Sequence, residues 1–243
     1  MRDATAGIRR IGMLLPSSNS VAEPLTQEML RDVPGVTLHI ARFRVTRLDT
    51  SAEALAQFRL EPLLAAADLL RDAHVHAICL NATAACYTGM AHDRALTAAL
   101  GPDSDTAMLA LLDQLRARRA LRIGLLTPFL DEVQEATIRT LGEEGFTVAA
   151  EHHFNDPGNF SFGRIPEEAI EEALRQLARH PGLDAIAVIS TGLRGPRPAA
   201  RVEAETGIPC LDTIATALWG ALRRAGVDPA LVRGWGSVFT QRP

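Results

Sequence analysis

Short apolar runs alternate along this chain with longer stretches whose apolar residues recur every three or four positions. The short runs suit strands buried on both faces, and the longer stretches suit helices lying over them. Their alternation predicts an α/β fold built on parallel sheet. In the first half the pattern predicts strands at residues 8–15, 37–44 and 76–80, with helices over 20–32 and 52–72. The second half repeats the order, with strands at 122–126, 147–154 and 185–190 and helices over 131–144 and 166–180. Between the halves, 104–118 reads as a bridging helix that Asp103 or Ser104 can cap. A short strand at 208–211, a helix over 212–225 and an edge strand at Val238 and Phe239 complete the pattern.

The two halves are copies of one unit. Arg10-Ile11-Gly12-Met13-Leu14-Leu15-Pro16 recurs as Arg122-Ile123-Gly124-Leu125-Leu126-Thr127-Pro128, an offset of 128 − 16 = 112. Gly35-Val36-Thr37 answers Gly145-Phe146-Thr147, and Ala77-Ile78-Cys79-Leu80-Asn81 answers Ala187-Val188-Ile189-Ser190-Thr191, both at 110. Duplication of a βαβαβ unit predicts two pseudo-symmetric lobes whose loops face each other across a cleft. Because the last helix and strand follow the second copy, the chain is expected to return to the first lobe. That assigns 1–103 plus 212–243 to one lobe and 104–211 to the other.

Composition narrows the chemistry. With 47% hydrophobic and 22% charged residues the chain is an ordinary globular protein, and its net charge of −4 offers no basic face to nucleic acid. All 25 basic residues are arginine. Without lysine there is no Schiff-base nucleophile, no pyridoxal-phosphate anchor and no P-loop lysine. No apolar run reaches the ~20 residues needed to span a bilayer, and Met1-Arg2-Asp3 begins no signal core, so the expectation is a cytoplasmic protein with no membrane partner. Cys79, Cys86 and Cys210 form neither a disulfide nor a metal spacing. His152 and His153 point to opposite faces of a strand, and His74 and His76 lie at a strand's entry, away from the cleft. No metal and no cofactor is expected. The leucine- and alanine-rich helices at 52–72 and 104–118 suggest a homo-oligomer.

Ligands of such sheets bind beyond the carboxyl ends of the strands. Four loops qualify: Pro16-Ser17-Ser18-Asn19; Asn81-Ala82-Thr83-Ala84-Ala85; Thr127-Pro128-Phe129-Leu130-Asp131; and Thr191-Gly192-Leu193-Arg194-Gly195. Ser17, Ser18 and Asn19 either bind an anion at a helix start or cap that helix. Arg194 and Arg197 either clamp a carboxylate or are solvated charges. Cys86, five residues past Asn81, is either a nucleophile or acid reaching into the cleft or a buried thiol. Asp131 and Glu132 open a helix, where a capping role competes with chemistry.

The duplicated layout, the Pro-Ser-Ser-Asn loop, the Thr-Pro-Phe-Leu-Asp-Glu-Val run and the Ser-Thr-Gly-Leu turn resemble the aspartate/glutamate racemase superfamily, on its maleate isomerase and arylmalonate decarboxylase branch. The resemblance implies flavodoxin-like lobes and a cleft in which two cysteines, one from each lobe, flank a small planar carboxylate. It places those positions at Asn81 and Thr191, neither of which is a thiolate or base near neutral pH. Phe129 stands where the family has a carboxylate-holding tyrosine. Arg164, in the segment Asn159-Phe160-Ser161-Phe162-Gly163-Arg164, matches a family position and reads as structural.

The expectation is a cofactor-independent isomerase or decarboxylase-type enzyme working on a small carboxylate without two cysteines. Catalysis falls to Asn81, Thr191 and Cys86. Binding falls to Pro16, Ser17, Ser18, Asn19, Ala82, Thr83, Phe129, Gly192, Leu193 and Arg194. A regulatory relative that binds a carboxylate without turnover is the alternative, and a new centre around Cys86 and Tyr87 is a third reading.

Overall fold

The computed structural model describes residues 7–46, 51–158 and 160–240. Strands β1 (Arg9–Pro16), β2 (Val36–Phe43), β3 (Ala77–Leu80) and β4 (Ser104–Thr106) form one parallel sheet in the order β2-β1-β3-β4. Strands β5 (Arg122–Thr127), β6 (Thr147–His153), β7 (Ala185–Val188) and β8 (Cys210–Asp212) form a second in the same order, β6-β5-β7-β8. Around them lie α1 (Ala22–Met29), α2 (Ala52–Ala56), α3 (Leu60–Asp72), α4 (Ala85–Thr88), α5 (Ala91–Leu100), α6 (Ala107–Ala117), α7 (Asp131–Glu143), α8 (Glu167–Ala178), α9 (Pro196–Thr206) and α10 (Thr213–Arg224). The two-lobed α/β architecture is the expected one. No helix among the described residues is long and apolar enough to cross a membrane.

The repeat is real but slips in register. Ile11 pairs with Ala77 and Ile123 pairs with Ala185, so the third strands correspond at 185 − 77 = 108 rather than 110. The structural counterpart of Asn81 is therefore Ile189, since Asn81 N bonds Leu14 O and Ile189 N bonds Leu126 O. Thr191 sits two residues further along its loop. A one-residue irregularity opposite Ile123 and Gly124 likewise shifts the second strands.

Four elements depart from the sequence reading, each for a local reason. The helix expected over 52–72 is two helices, because Pro62 removes a donor and crowds the carbonyl four residues before it. Phe58, at the break, turns inward and meets the Phe43 ring edge-on at 5.9 Å. The bridging helix starts three residues late: Ser104, Asp105 and Thr106 pair with β3, and Thr106 is the cap, accepting Leu109 N at 3.0 Å. Val238 and Phe239 are not an edge strand but part of a 3-10 turn (Ser237–Phe239), held on α6 by Gln114 and Arg118. The short α4 and the following α5, and α9 after β7, also fill stretches to which the pattern assigned no element.

Helix α10 joins the two sheets. Every residue from Thr213 to Leu222 is buried, and the helix packs on α6 and against β3, β4 and β8. The pair is capped symmetrically, with Thr106 opposite Leu80 and Asp212 opposite Val188. One continuous apolar cluster thus runs from Ile11 and Met13 through Leu111, Leu112 and Leu218 to Leu125 and Ile186. Because the core is shared, both lobes should unfold in a single transition. Leu111→Ala is expected to cost about 2–5 kcal/mol and to shift the urea midpoints of far-UV circular dichroism and of tryptophan fluorescence together.

Candidate active site

The loops at the carboxyl ends of β1, β3, β5 and β7 converge on a narrow pocket, open to solvent at its mouth, whose cavity volume of about 20 Å³ is room for a single water. Among the described residues its lining is Pro16, Asn19, Val45, Phe58, Ala82, Thr83, Ala84, Tyr87, Phe129, Ser190, Thr191 and Gly192, none of which carries a charge.

Asn19 holds the centre of this arrangement. It is 5% exposed, and its Oδ1 accepts from Val21 N and Ala22 N, fixing the entry to α1. Its Nδ2 donates across the cleft to Thr191 O at 2.9 Å and Thr191 Oγ1 at 3.1 Å. The Thr191 hydroxyl in turn donates to Asn81 O at 3.2 Å. Asn81 and Thr191 are thus in contact, but through the Asn81 main chain. The Asn81 side chain is fully buried, with Nδ2 against Met13 Sδ at 3.4 Å, and it is not part of the pocket wall.

The other predicted residues divide between wall and support. Ser17 is exposed; its hydroxyl accepts from Val45 N and donates to Val45 O, which sets Val45 in the wall. Ser18 is half-buried and Leu193 fully buried, both outside the lining. Arg194 is exposed and lies outside the lining too. Arg197 ion-pairs with Glu28 and Glu167 and stacks over Trp235 at 5.2 Å, so it ties α9 to α1 rather than facing the pocket. Gly192 is a close-packing position, since a Cβ there would meet the Phe162 ring at 3.2 Å.

Cys86 lies in α4, buried against α7, where Thr137 Oγ1 donates to its sulfur at 3.5 Å. Burial pushes its thiol up to about 12, so it is a thiol at neutral pH. Cys79 and Cys210 are also buried with their pKa values raised, chiefly by desolvation. None of the three lines the pocket. Asp131 opens α7 and pairs with His153, again outside the pocket. Arg164 stacks on Phe160, and its neighbour Asn159 falls outside the described residues.

Val45, Phe58, Ala84 and Ser190 are wall residues that the sequence reading did not select, because apolar or small loop residues carry no chemical signature of their own. Tyr87 and Phe129 meet edge-on, with centroids 6.4 Å apart. They separate the pocket from a small adjoining void of about 10 Å³ lined by Leu130, Val133, Asp156 and Phe162. Asp212 also escaped notice. It is fully buried behind the 190–195 turn, where a side chain at Gly195 would collide with its carboxyl. Burial raises its pKa to about 8, against the opposing hydrogen bonds from Ile214 N and Ala215 N.

Two consequences are measurable. Asn19→Ala removes a cap and leaves Thr191 O without its donor, so it should lower stability by about 2–4 kcal/mol in chemical denaturation. A carboxyl whose pKa is raised by folding costs stability progressively as pH climbs from its unfolded value toward about 8. Asp212→Asn keeps the cap, so it should stabilise the protein at pH 8 and have little effect near pH 4, as read from denaturation at both pH values.

Comparison with known proteins places this geometry. The arylmalonate decarboxylase family profile matches residues 45–239. Maleate isomerase of Nocardia farcinica is 30% identical over 247 aligned residues, covering 97% of each chain. Arylmalonate decarboxylase of Bordetella bronchiseptica is 27% identical over 160, covering 64% of this chain and 67% of its own. A solved cysteine-to-serine variant of the Nocardia farcinica maleate cis-trans isomerase, carrying a covalently bound succinylcysteine intermediate, superposes with a TM-score of 0.85 at 27% identity, covering 98% of this chain and 100% of that one. Neutral donors at the strand ends, in a cleft between two copies of one lobe, are thus found in a chain that belongs to the arylmalonate decarboxylase family.

Proposed function

We propose that this protein is an isomerase- or decarboxylase-type enzyme acting on a small dicarboxylate in the inter-lobe pocket, and that within this class it is a decarboxylase. The observation that carries the choice is the lining of the pocket: neutral polar side chains of Asn19, Thr83, Ser190 and Thr191, apolar walls from Val45, Phe58 and Phe129, and no thiol. A cysteine adduct such as the one trapped in the Nocardia farcinica isomerase needs a thiolate, and here Cys79, Cys86 and Cys210 are buried thiols outside the wall.

Decarboxylation asks for less. One carboxylate of a malonate-type substrate lies on the hydroxyls, and the other is desolvated against the apolar wall. Cleavage of its C–C bond releases CO2 and sends the electron pair into the retained carboxylate as an enediolate. Fixed neutral donors hold that developing charge in a water-poor site. One proton from water, taken up at the α-carbon, completes the reaction. In the free protein the Thr191 hydroxyl donates its one proton to Asn81 O; on binding it turns that proton to the ligand, while Asn19 Nδ2 keeps hold of its oxygen. The scheme needs no metal and no cofactor. A non-catalytic binding relative is the less favoured reading, because enzymes match the chain over nearly its whole length. Free buried thiols suit a reducing compartment, and the cytoplasm is the proposed location.

The test is incubation with methyl- and phenylmalonate, and separately with maleate, in deuterated water. The expected result is CO2 release from a malonate with one deuterium at the new C–H position, and no fumarate from maleate. Thr191→Val should lower turnover about 10²-fold, the usual effect of removing one oxyanion donor. Fumarate formation, or turnover unchanged in Thr191→Val, would overturn the assignment.

A further inference from the structure

The duplicated fold puts a basic side chain at the same place in each lobe, and the two differ in kind. Leu15 pairs with Arg42 and Thr127 pairs with His153, and Leu15 and Thr127 are counterparts at the 112-residue offset, 127 − 15. Arg42 reaches back over the loop after β1, donating to Asn19 O at 2.8 Å and Pro16 O at 3.3 Å, and ion-pairs with Glu23 of α1 at 2.5 Å. His153 does the same in the second lobe. One ring nitrogen lies 2.7 Å from Asp131 Oδ1, at the start of α7, and the other lies 2.8 Å from Glu151 Oε2.

That second arrangement requires a proton. A carboxylate oxygen only accepts, and neutral imidazole has a single N–H, so both contacts are hydrogen bonds only in the imidazolium form. From His153 the bonding continues to the pocket. Gln134 Nε2 donates to the same Glu151 oxygen at 2.7 Å, Thr127 Oγ1 donates to Gln134 Oε1 at 2.7 Å, and Phe129 N donates to Thr127 Oγ1 at 3.3 Å. Asp131 follows Phe129 by two residues, so the clamp grips the 127–131 turn from both ends.

We propose that His153 is a positioning residue whose imidazolium fixes the pocket-lining turn of Phe129, so that pH sets one wall of the cleft while Arg42 holds the other permanently. The charged groups acting on His153 are Glu151 on its own strand and Asp131 on α7. β5 presents Thr127, and α8 packs on the opposite face of β6, where His152 points. Partial burial by itself lowers the His153 pKa, but hydrogen bonds to the two carboxylates outweigh it and the net direction is upward. For a group raised by folding, the contribution is complete at the acid side and is lost as pH rises through the folded value. Arginine has no such limit in the accessible range. The clamp is therefore closed below the ordinary imidazole range, and it opens in the second lobe alone as pH rises through the raised folded value.

The experiment is amide hydrogen exchange of wild type, His153→Arg and His153→Ala between about pH 6 and pH 9, corrected for the intrinsic rate, which brackets an imidazole. In wild type, protection of residues 127–135 should fall roughly two- to fivefold across this range, the effect of an ion pair whose Asp131 is largely exposed, while residues 16–24 stay constant. His153→Arg should keep full protection at every pH, and His153→Ala should lack it at every pH. Wild-type protection independent of pH, an equal fall in residues 16–24, or His153→Arg tracking wild type would each overturn the proposal. This readout needs no substrate, so it succeeds or fails separately from the reaction assignment. Resting on that assignment, KM should rise on the alkaline side in wild type and stay level in His153→Arg, with kcat moving less than KM in both.

Discussion

The site depends on one buried amide. Asn19 uses its oxygen to hold the start of α1 and its nitrogen to hold the Thr191 turn of the opposite lobe, and it is almost completely withdrawn from water. Each of these bonds is ordinary in strength, but in a low-dielectric seam an unmade one is expensive. The distance between the lobes, and with it the pocket, is set where this side chain closes. Arg197, ion-paired to Glu28, adds a second tie between α9 and α1 nearby. The continuous core around α10 supports both. The cleft is therefore a fixed feature of a shared core rather than a loose gap between independent domains.

What that fixed geometry presents, among the described residues, is a wall without charges. We infer that a dicarboxylate entering this space would have its hydration replaced on one side by hydroxyls and on the other by Val45, Phe58 and Phe129. The hydroxyls are preorganised: Thr191 is oriented by Asn81 O and Asn19 Nδ2, and Ser190 takes the Gly192 amide. Such an environment favours the loss of one carboxylate more than it favours a step needing a strong base or nucleophile. The void behind Tyr87 and Phe129 borders the same space.

Much of the architecture was legible in the sequence because strand pairing is local and periodic. The Arg-Ile-Gly run and its echo occupy equivalent central strands, and the loops after them carry Asn19 and Phe129 into the pocket. Whatever depended on register or side-chain direction was not legible. The echo of Asn81 in Thr191 was a match of letters two residues out of step with the pairing, because the second copy is four residues shorter between its first and third strands, 185 − 123 = 62 against 77 − 11 = 66. Whether Asn81 faces the cleft or Met13 is decided by packing that no local pattern encodes. Pro62 did carry a readable signal, a break in a long helix, and it brings Phe58 to the wall. Asp212 gave none, since a helix cap and a deeply buried acid look alike in sequence.

The two lobes have diverged in their fastenings while keeping the fold. Arg42 and His153 share a position, and Thr106 and Asp212 share another; in each pair the second lobe holds a group whose pKa folding raises. The account stands on the claim that chemistry occurs at the Asn19–Thr191 junction without a covalent link to the protein. A crystal structure with an inert malonate analogue tests this most directly. It should show the analogue between Thr83, Ser190 and Thr191, uncoupled from every cysteine. An analogue bonded to Cys86, or seated outside the pocket that Asn19 closes, would contradict it.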